Sequence, residues 1–254
     1  MKIGYWNINK KNLKEIGVFI VDLIAEHNLD VLLLSEFNNL NKKELADIIP
    51  NEYMIVETSG LCDKVLTIVK RSTDYKSITE GKRYIILKSN KCDLVIVGLH
   101  LSDRRNYPQS LKRIDELNNI LESIKHVNCS KYIFVGDFNS SPFDDELTCC
   151  SGMHSVLFKK EMNNAEDGKV KHYNPMLLVL EEQKETYGSY RYIDSTFPLY
   201  WYSFDQVIVS KQLMNSICDI KYLKMIKGKT LMSKSDINPV VSDHLPLIFK
   251  IGDK

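Results

Sequence analysis

The feature that most constrains the fold of this sequence is an uninterrupted apolar run, Val-Leu-Leu-Leu, at residues 31–34. The run has the length of a strand, and a strand that is apolar on both faces is one that is covered on both faces. Residues 3–8 also indicate a strand, and the segment from Asn12 onward has apolar residues at helical spacing (16, 19, 20, 23 and 24). The chain is therefore predicted to begin with a βαβ unit.

Short apolar segments continue along the chain, with strands predicted at residues 53–56, 65–69, 84–87, 94–99, 132–135, 203–209, 217–223 and 247–251, and a helix at 110–127. The stretch 154–191 has the weakest pattern and is predicted to be a long, partly ordered excursion of the kind that often shapes substrate sites. No repeat or linker divides the chain. Residues 1–254 are therefore predicted to form one α/β domain of mixed sheets, packed face to face and flanked by helices.

The composition limits the class of protein. Hydrophobic residues make up 44% of the chain and charged residues 26%, as in soluble globular proteins. Lysine and arginine (34) nearly balance aspartate and glutamate (33), so the chain lacks the basic excess of many obligate nucleic-acid binders. An enzyme that contacts a few phosphates needs only a local positive groove and a metal.

Neither a signal peptide nor a membrane-spanning run is found, and the six cysteines lack the spacing of a zinc site. We therefore expect a cytoplasmic protein with free thiols.

Acid, amide and imidazole side chains stand at the ends of several predicted strands, where a packed scaffold can project them into a shared cleft. Asn7 follows the first strand, and on its own it is better explained as a helix cap. Glu36 follows the buried run at residues 31–34, where surface solvation does not readily explain a carboxylate. A ligand for Mg²⁺ is an alternative at Glu36, because this ion prefers one or two carboxylates plus water and substrate oxygens.

Asp137 and Asn139 follow the apolar run at residues 133–135. In an extended segment, side chains two residues apart point to the same side, where a carboxylate and an amide could bind a metal and orient a water. Gly-Asp and Asn-Ser also form turns readily, so spacing alone slightly favours an ordinary turn.

Two imidazoles complete the candidate set. Asp205 lies within an otherwise apolar predicted strand, where an ionised carboxylate is costly without a partner. His244, next to Asp243, precedes the last strand, and a carboxylate partner would fix its tautomer and raise its basicity. Asp205 and His244 are therefore predicted to form a dyad. His100 follows the strand at 94–99 and is predicted to be a second imidazole in the same cleft, the alternative being a histidine of the core.

Taken in order, six motifs resemble those of the endonuclease/exonuclease/phosphatase superfamily, metal-dependent phosphohydrolases that include exonuclease III, deoxyribonuclease I, neutral sphingomyelinases and inositol polyphosphate 5-phosphatases. The motifs are Tyr-Trp-Asn-Ile at 5–8, Leu-Ser-Glu at 34–36, Gly-Leu-His-Leu at 98–101, Gly-Asp-Phe-Asn-Ser at 136–140, Ser-Phe-Asp-Gln-Val at 203–207 and Ser-Asp-His-Leu-Pro at 242–246. The resemblance implies a four-layer α/β sandwich of the deoxyribonuclease I type, in which helices flank two packed mixed β-sheets. It also implies a Mg²⁺ cofactor, for which Mn²⁺ is a potential substitute.

The resemblance further implies roles for the strand-end residues. Glu36 matches the principal metal carboxylate of the superfamily, and Asn7 and Asp243 match nearby ligands or orienting groups. Asp137 and Asn139 match the residues that position the attacking water and the scissile phosphate.

Asp205 and His244 match the superfamily's Asp–His pair. His100 resembles the deoxyribonuclease I, sphingomyelinase and deadenylase branches, whereas abasic-site endonucleases usually have a tyrosine there, in an Asn-x-Tyr-x-Pro motif. Ser35 stands where many members have glutamine, which puts one supporting contact in doubt.

These roles predict a metal-dependent hydrolase of phosphodiester bonds, foremost an endonuclease or exonuclease acting on DNA or RNA. Magnesium would offset charge in the transition state, His244 and Asp137 would activate the water, and His100 would contact a phosphate oxygen or protonate the leaving group. Arg104 and Arg105 are predicted to hold flanking phosphates, the alternative being a solvated charged loop.

Two other functions stay open from sequence. One is a phosphatase or phosphodiesterase of a phosphorylated lipid headgroup or small molecule, and the other is a non-catalytic binding module on the same scaffold. No obligate protein partner is inferred.

Overall fold

The computed structural model describes residues 1–104, 109–163, 170–182, 188–192, 201–234 and 236–252. Its strands are β1 Lys2–Asn7, β2 Val31–Ser35, β3 Tyr53–Ile55, β4 Val65–Lys70, β5 Tyr75–Gly81, β6 Tyr84–Ser89, β7 Val95–His100, β8 Tyr132–Asp137, β9 Ser155–Val156, β10 His172–Tyr173, β11 Tyr190–Arg191, β12 Trp201–Tyr202, β13 Asp205–Ser210, β14 Ile217–Tyr222, β15 Met225–Ile226, β16 Lys229–Thr230, β17 Met232–Ser233, β18 Asp236–Ile237 and β19 Leu247–Ile251. Its helices are α1 Leu13–His27, α2 Lys42–Ile48, α3 Gln109–Lys125, α4 Asp145–Thr148 and α5 Met176–Glu182, with short 3₁₀ helices at Arg71–Thr73, Lys159–Asn163 and Lys211–Leu213.

Two large mixed sheets contain most of the strands. The first has the order β14-β19-β1-β2-β4-β3, and the second has the order β5-β6-β7-β8-β13-β10-β9. Strands β1 and β2 are parallel and connected by α1, which confirms the predicted βαβ unit. Strands β7 and β8 are also parallel, and α3 connects them. The remaining strands are short antiparallel ribbons.

The two sheets pack face to face between helices. Gly98 of β7 lies so close to the first sheet that a Cβ atom there would be 2.2 Å from a Leu33 methyl carbon, so any other residue would displace the Leu33 side chain. Helix α1 buries its apolar side against the first sheet, and α3 buries Leu117 and Ile120 against the outer face of the second sheet. The four-layer α/β sandwich implied by the resemblance is confirmed.

Helix α1 begins and ends where its sequence provides caps. The Asn12 side chain accepts hydrogen bonds from the backbone of Lys14 and Glu15, and the Glu15 carboxylate accepts one from the backbone N–H of Asn12. This reciprocal arrangement satisfies amides that the first turn leaves unpaired. Asn28 ends the helix in the left-handed conformation, with φ 48°.

Several strands differ from their predicted bounds. Strands β7 and β8 extend beyond the apolar runs to His100 and Asp137, so these polar residues are the last residues of buried strands. Strand β5 was not predicted, because its Tyr-Lys-Ser-Ile-Thr-Glu-Gly sequence is mostly polar, as suits an edge strand. The described parts of 154–191 contain β9, β10, α5 and β11, and therefore have more regular structure than expected. In the described part of the chain, no helix has the length and apolar character needed to cross a membrane.

Candidate active site

The ends of five strands meet at one edge of the sandwich. Asn7 ends β1 beside Ser35 of β2, in the first sheet. In the second sheet, His100, Asp137 and Asp205 are direct neighbours across β7, β8 and β13. His100 and Asp137 line one cavity with Glu36, which directly follows β2, and Asn7 and Asp205 are hydrogen-bonded to residues that line it.

Glycine is required immediately before Asp137. A Cβ atom on Gly136 would lie 1.9 Å from the carbonyl oxygen of Leu99, so any other residue would separate β8 from β7. The register that places Asp137 beside His100 depends on this close approach.

Asn7 links the two carboxylates nearest to it. Its Nδ2 atom lies 3.3 Å from Oε1 of Glu36 and 3.2 Å from Oδ2 of Asp137. Its Oδ1 atom accepts a hydrogen bond of 3.0 Å from the backbone N–H of Asn9. The Asn7 amide therefore contacts both carboxylates through its nitrogen and the turn after β1 through its oxygen.

Glu36 and Asn139 adopt backbone conformations that are unusual for residues other than glycine. Their φ angles are 51° and 50°, in the left-handed region. Asparagine tolerates this region better than glutamate. Such conformations cost about 1–3 kcal/mol each, and they cluster at functional sites. Both residues follow a strand end directly or by one residue, so the chain turns there and leaves the carboxylate of Glu36 partly exposed.

The Asp137–Asn139 segment is a turn, and its side chains also line the cavity, so both interpretations of the sequence apply. The backbone N–H of Asn139 donates to Oδ1 of Asp137 at 2.8 Å, which is the geometry of an Asp-initiated turn. Both side chains nevertheless line the same cavity. The Nδ2 atom of Asn139 donates to the carbonyl oxygen of Leu101 at 3.0 Å and thereby connects the loop after β8 to the loop after β7.

Asp205 and His244 form the predicted pair, with Nδ1 of the imidazole 2.7 Å from Oδ2 of the carboxylate. Both side chains are buried. The indole of Trp6 donates to the carbonyl oxygen of His244 at 2.9 Å, and Tyr222 donates its hydroxyl to the carbonyl oxygen of Asp205 at 2.6 Å. The hydroxyl of Ser242 accepts from the backbone N–H of His244 and donates to the carbonyl oxygen of Asn7. The pair is therefore anchored to several strands.

His100 is a cavity residue rather than a histidine of the core. Its Nε2 atom lies 4.0 Å from Oε1 of Glu36 and 3.8 Å from Oδ2 of Asp137. Burial is the largest influence on its pKa and, with the nearby charge of Arg83, lowers it to about 4 despite the opposing effect of Glu36. His100 is therefore uncharged at neutral pH.

The pKa values of Asp137 and His244 are both raised, but for different reasons. Burial, followed by the charge of Asp205, raises the pKa of Asp137 to about 7. Burial alone would lower the pKa of His244, but the charge and hydrogen bond of Asp205 outweigh it and raise the pKa to about 10. Burial and the charge of Asp205 both disfavour the ionised carboxylate of Asp137, whereas a nearby cation would favour it.

The cavity has a volume of about 260 Å³. Among the predicted residues, Asp243 lines it together with Glu36, His100, Asp137, Asn139 and His244. The sequence interpretation did not include Lys10, Asp103 and the aromatic residues Tyr190, Tyr192 and Phe204, which also line it. The Asn-rich turn after β1 could have indicated that Lys10 lies at the site. No sequence pattern indicated the two tyrosines, which lie at the end of the region with the weakest pattern.

Arg104 is already engaged by neighbouring side chains. Its Nη1 atom lies 3.3 Å from Oδ2 of Asp144, and its guanidinium is 5.6 Å from the ring centres of Tyr202 and Phe204. Arg105, its predicted partner in phosphate binding, lies outside the described residues.

Ser35 is buried and accepts a hydrogen bond of 2.6 Å from the hydroxyl of Tyr5. Tyr5 therefore provides a hydrogen-bond partner for Ser35, the residue whose supporting contact the sequence left in doubt.

Two sets of side chains are chemically suited to hold a metal. Glu36 and Asp243 present carboxylates to the cavity, and hard cations such as Mg²⁺ prefer oxygen ligands. Asp137, Asp205 and His244 form the second set, with potential ligand atoms within 4.8 Å of one another. In that set, the imidazole nitrogen nearest to Asp205 is occupied by the hydrogen bond, and a protonated imidazole has no free lone pair for a metal.

Solved structures with the same fold cover the whole chain. D. rerio TDP2 complexed with single strand DNA product has a TM-score of 0.65 and 17% identity, over 100% of this chain and 99% of that chain. The 3'-5' exonuclease NExo from Neisseria Meningitidis has a TM-score of 0.63 and 15% identity, over 100% of both chains. An AP endonuclease from Archaeoglobus fulgidus has a TM-score of 0.59 and 13% identity, over 99% of both chains. At these identities, the similarity shows the fold.

No curated protein sequence matches the chain. A sequence model described as the Endonuclease/Exonuclease/phosphatase family matches residues 99–237, which is more than half of the chain. The matched segment includes His100, Asp137 and Asp205. The chain therefore belongs to the endonuclease/exonuclease/phosphatase family.

Proposed function

We propose that this protein is a Mg²⁺-dependent phosphodiesterase that acts as a nuclease on DNA or RNA. The observation that carries the proposal is the convergence of Glu36, His100, Asp137 and the Asp205–His244 pair on one cavity. The solved neighbours include a 3'-5' exonuclease, an AP endonuclease and a complex with single-stranded DNA, which supports nucleic acid as the substrate.

The metal belongs at the carboxylates of Glu36 and Asp243, with Asn7 as an orienting residue. Glu36 is partly exposed to the cavity, and Asn7 holds it beside Asp137. When bound, Mg²⁺ would offset the negative charge that develops on the phosphoryl oxygens. Mn²⁺ has similar oxygen preferences and is expected to substitute.

The residues around the metal have different roles: one accepts a proton, and two donate hydrogen bonds to the phosphate. His244 is protonated at neutral pH because of Asp205, so it donates a hydrogen bond to a phosphoryl oxygen rather than accepting a proton. Asp137, with a pKa of about 7 and held by Asn139, accepts the proton of the attacking water. His100 is uncharged and donates a hydrogen bond to another phosphate oxygen.

The size of the cavity is compatible with a polymeric substrate that extends beyond it. Pockets that bury a whole small ligand have volumes of roughly 300–1,000 Å³. The cavity of about 260 Å³ lies just below this range, so a large substrate would extend beyond it. The presence of all expected catalytic side chains weighs against a non-catalytic module.

We also place the enzyme in the cytoplasm. Support comes from its six cysteines, all of which are free. Unpaired thiols are typical of reducing compartments.

The test is an assay of the purified protein on plasmid DNA, single-stranded DNA, RNA and bis(p-nitrophenyl) phosphate, with Mg²⁺ or Mn²⁺ and with chelator. Asp137→Asn and His244→Ala are each expected to lower kcat by roughly 10²- to 10⁴-fold. Asp47→Asn and His126→Ala, which remove the same groups at exposed positions, should match the wild type. Full metal-dependent activity in either cavity variant would refute the mechanism, and no hydrolysis of any substrate would refute the function.

A further inference from the structure

A second groove lies beside the active site, on the other side of the β7 end. It has a volume of about 240 Å³ and is lined by Lys82, Arg83, Tyr84, Lys112, Glu116, Asn119 and Ile120. Lys82 and Arg83 form the two-residue turn between β5 and β6, and Lys112 and Glu116 come from the facing side of α3. The groove therefore lies between a hairpin tip and a helix.

One residue connects this groove to the catalytic cavity. Nη1 of Arg83 donates to the carbonyl oxygen of His100 at 3.2 Å, and the backbone N–H of His100 donates to the carbonyl oxygen of Arg83 at 2.9 Å. Arg83 lines the groove, whereas His100 lines the cavity. A substrate that extends past His100 would enter this groove.

The groove carries a net positive charge. Its carboxylate, Glu116, is satisfied by Nε of Arg83 at 3.0 Å and by the backbone N–H of Ser102 at 2.8 Å. Lys82 and Lys112 are exposed, and neither has an ion-pair partner among the described residues. Two ammonium groups therefore remain available to an anionic ligand.

The catalytic cavity has the opposite character. Glu36, Asp103, Asp137 and Asp243 line it, with Lys10 and His244 as its cationic side chains. Such a cavity attracts a metal but repels a polyanion. A polyanionic substrate therefore needs cations next to the cavity, and Arg104 is already paired with Asp144.

We propose that the groove between Lys82 and Lys112 binds the backbone phosphates of a polynucleotide next to the bond that is cleaved. The inference rests on the proposed phosphodiesterase function and narrows its substrate to a polymer. The hydroxyl of Tyr84, the aromatic residue of the groove, is already hydrogen-bonded to Ser123 at 2.7 Å, so the two lysines are the groups that would contact the phosphates. Binding there is independent of sequence.

The test compares Lys82→Ala/Lys112→Ala with the wild type and with Lys2→Ala/Lys250→Ala. The control removes two exposed lysines that are paired across β1 and β19, at the end of β1 opposite to the site. Binding of a fluorescent single-stranded oligonucleotide is measured in chelator over a range of salt concentrations. Hydrolysis of bis(p-nitrophenyl) phosphate is measured separately with Mg²⁺.

Each phosphate contact on a single strand contributes about 0.7 to the slope of log K against log salt. The groove variant should therefore lose about 1.4 from the slope and bind roughly 10- to 30-fold more weakly at about 0.1 M salt. The control should keep the wild-type slope, and all three proteins should hydrolyse the small diester equally.

An unchanged slope in the groove variant, or a wild type that does not bind the oligonucleotide, would overturn the groove proposal. Neither result depends on turnover. Absence of hydrolysis in the second assay would instead refute the phosphodiesterase function, so the two failures are distinguishable.

Discussion

Nδ1 of His244 lies 2.7 Å from Oδ2 of Asp205, and both side chains are buried. The distance is that of a short, charge-assisted hydrogen bond. Because Asp205 raises the pKa of His244 to about 10, the imidazolium is the stable form at neutral pH. This relationship makes His244 a hydrogen-bond donor to the phosphate in the proposed mechanism.

Asp205→Asn should therefore change the pH dependence of both stability and activity. The folded pKa of His244 lies above its ordinary value of about 6.5, so its contribution to stability is fully present below about pH 6.5 and is lost as the pH rises through about 10. Without the Asp205 charge, that alkaline loss should shrink. The pH at which kcat/KM falls on the alkaline side should also move to lower values.

Urea unfolding at pH 6.5 and pH 10 and a pH–rate profile would check this prediction. If both proteins lost equal stability between the two pH values, the charge of Asp205 would not determine the protonation of His244.

Glu36→Gln should separate metal binding from stability. Glu36 and Asp137 both accept from Nδ2 of Asn7, so replacing one of these two neighbouring carboxylates by an amide should leave the metal-free protein at least as stable. The wild type should gain about 2.7 kcal/mol at a Mg²⁺ concentration of about 100 times Kd, and the variant should lose most of this gain.

Thermal unfolding with Mg²⁺ and with chelator is the measurement. The matched control is Glu52→Gln, an exposed glutamate before β3 at the opposite end of the sheet. An undiminished Mg²⁺ effect in Glu36→Gln would place the metal elsewhere, with Asp137, Asp205 and His244 as the next set to test.

The sequence predicted the layers of the fold because burial leaves a periodic record. The run at residues 31–34 and the helical spacing after Asn12 correspond to β2 and α1 within one or two residues. Polar residues at the ends of the predicted strands identified residues that line the cavity from both sheets. Edge strands such as β5 and β9 need few apolar residues, so their patterns were weak.

Other parts of the site depend on contacts between distant segments, which no local pattern contains. Tyr190 packs against the His244 ring with centres 4.7 Å apart, although 54 positions in the sequence separate these residues. The engagement of Arg104 with Asp144 is also tertiary. Sequence spacing could indicate that Arg104 is near the site, but not that its charge is already paired.

His172 should make the protein sensitive to acid. It is buried in β10, where Nδ1 lies 2.6 Å from the carbonyl oxygen of Met153, and burial lowers its pKa to about 4. The folded state therefore binds this proton more weakly than the unfolded chain. The contribution of His172 to stability is present above about pH 6.5 and is lost as the pH falls through about 4.

His172→Gln cannot gain this charge, so it should lose less stability than the wild type between pH 6.5 and pH 4, by up to about 3 kcal/mol. Urea unfolding midpoints at the two pH values would check this. His126→Gln, at a side chain that is 80% exposed, should behave as the wild type does. Equal acid sensitivity of all three proteins would contradict the prediction.

Arg113 and Glu146 form a buried ion pair that contacts the loops after β7 and β8, and each residue is 4% exposed. Nε of Arg113 donates to Oε1 of Glu146 at 2.7 Å, and Nη1 donates to the carbonyl oxygen of Ser102 at 3.4 Å. The hydroxyl of Ser140, which follows Asn139, donates to the same Glu146 oxygen at 2.7 Å. The pair thereby connects α3 to the loops after β7 and β8.

Arg113→Met should cost about 3–5 kcal/mol of unfolding free energy, because it leaves the Glu146 carboxylate buried without its partner. Arg113→Met/Glu146→Leu should recover most of that loss, since apolar residues of similar size often replace a buried pair with little penalty. Activity should not recover with stability, because the carbonyl oxygen of Ser102 still lacks its donor and the hydroxyl of Ser140 still lacks its acceptor, in the loops that follow His100 and Asn139. We expect kcat on the small diester to stay low in both variants while KM changes little.

Urea unfolding and steady-state kinetics on the same preparations would separate these effects. Arg113→Lys keeps the charge without the two-pronged geometry of guanidinium, so it should rescue stability more than kcat. If kcat returned to the wild-type value in the double variant, the ion pair would serve only the stability of the fold. If kcat stayed low while the free energy of unfolding recovered, the pair would position the catalytic loops.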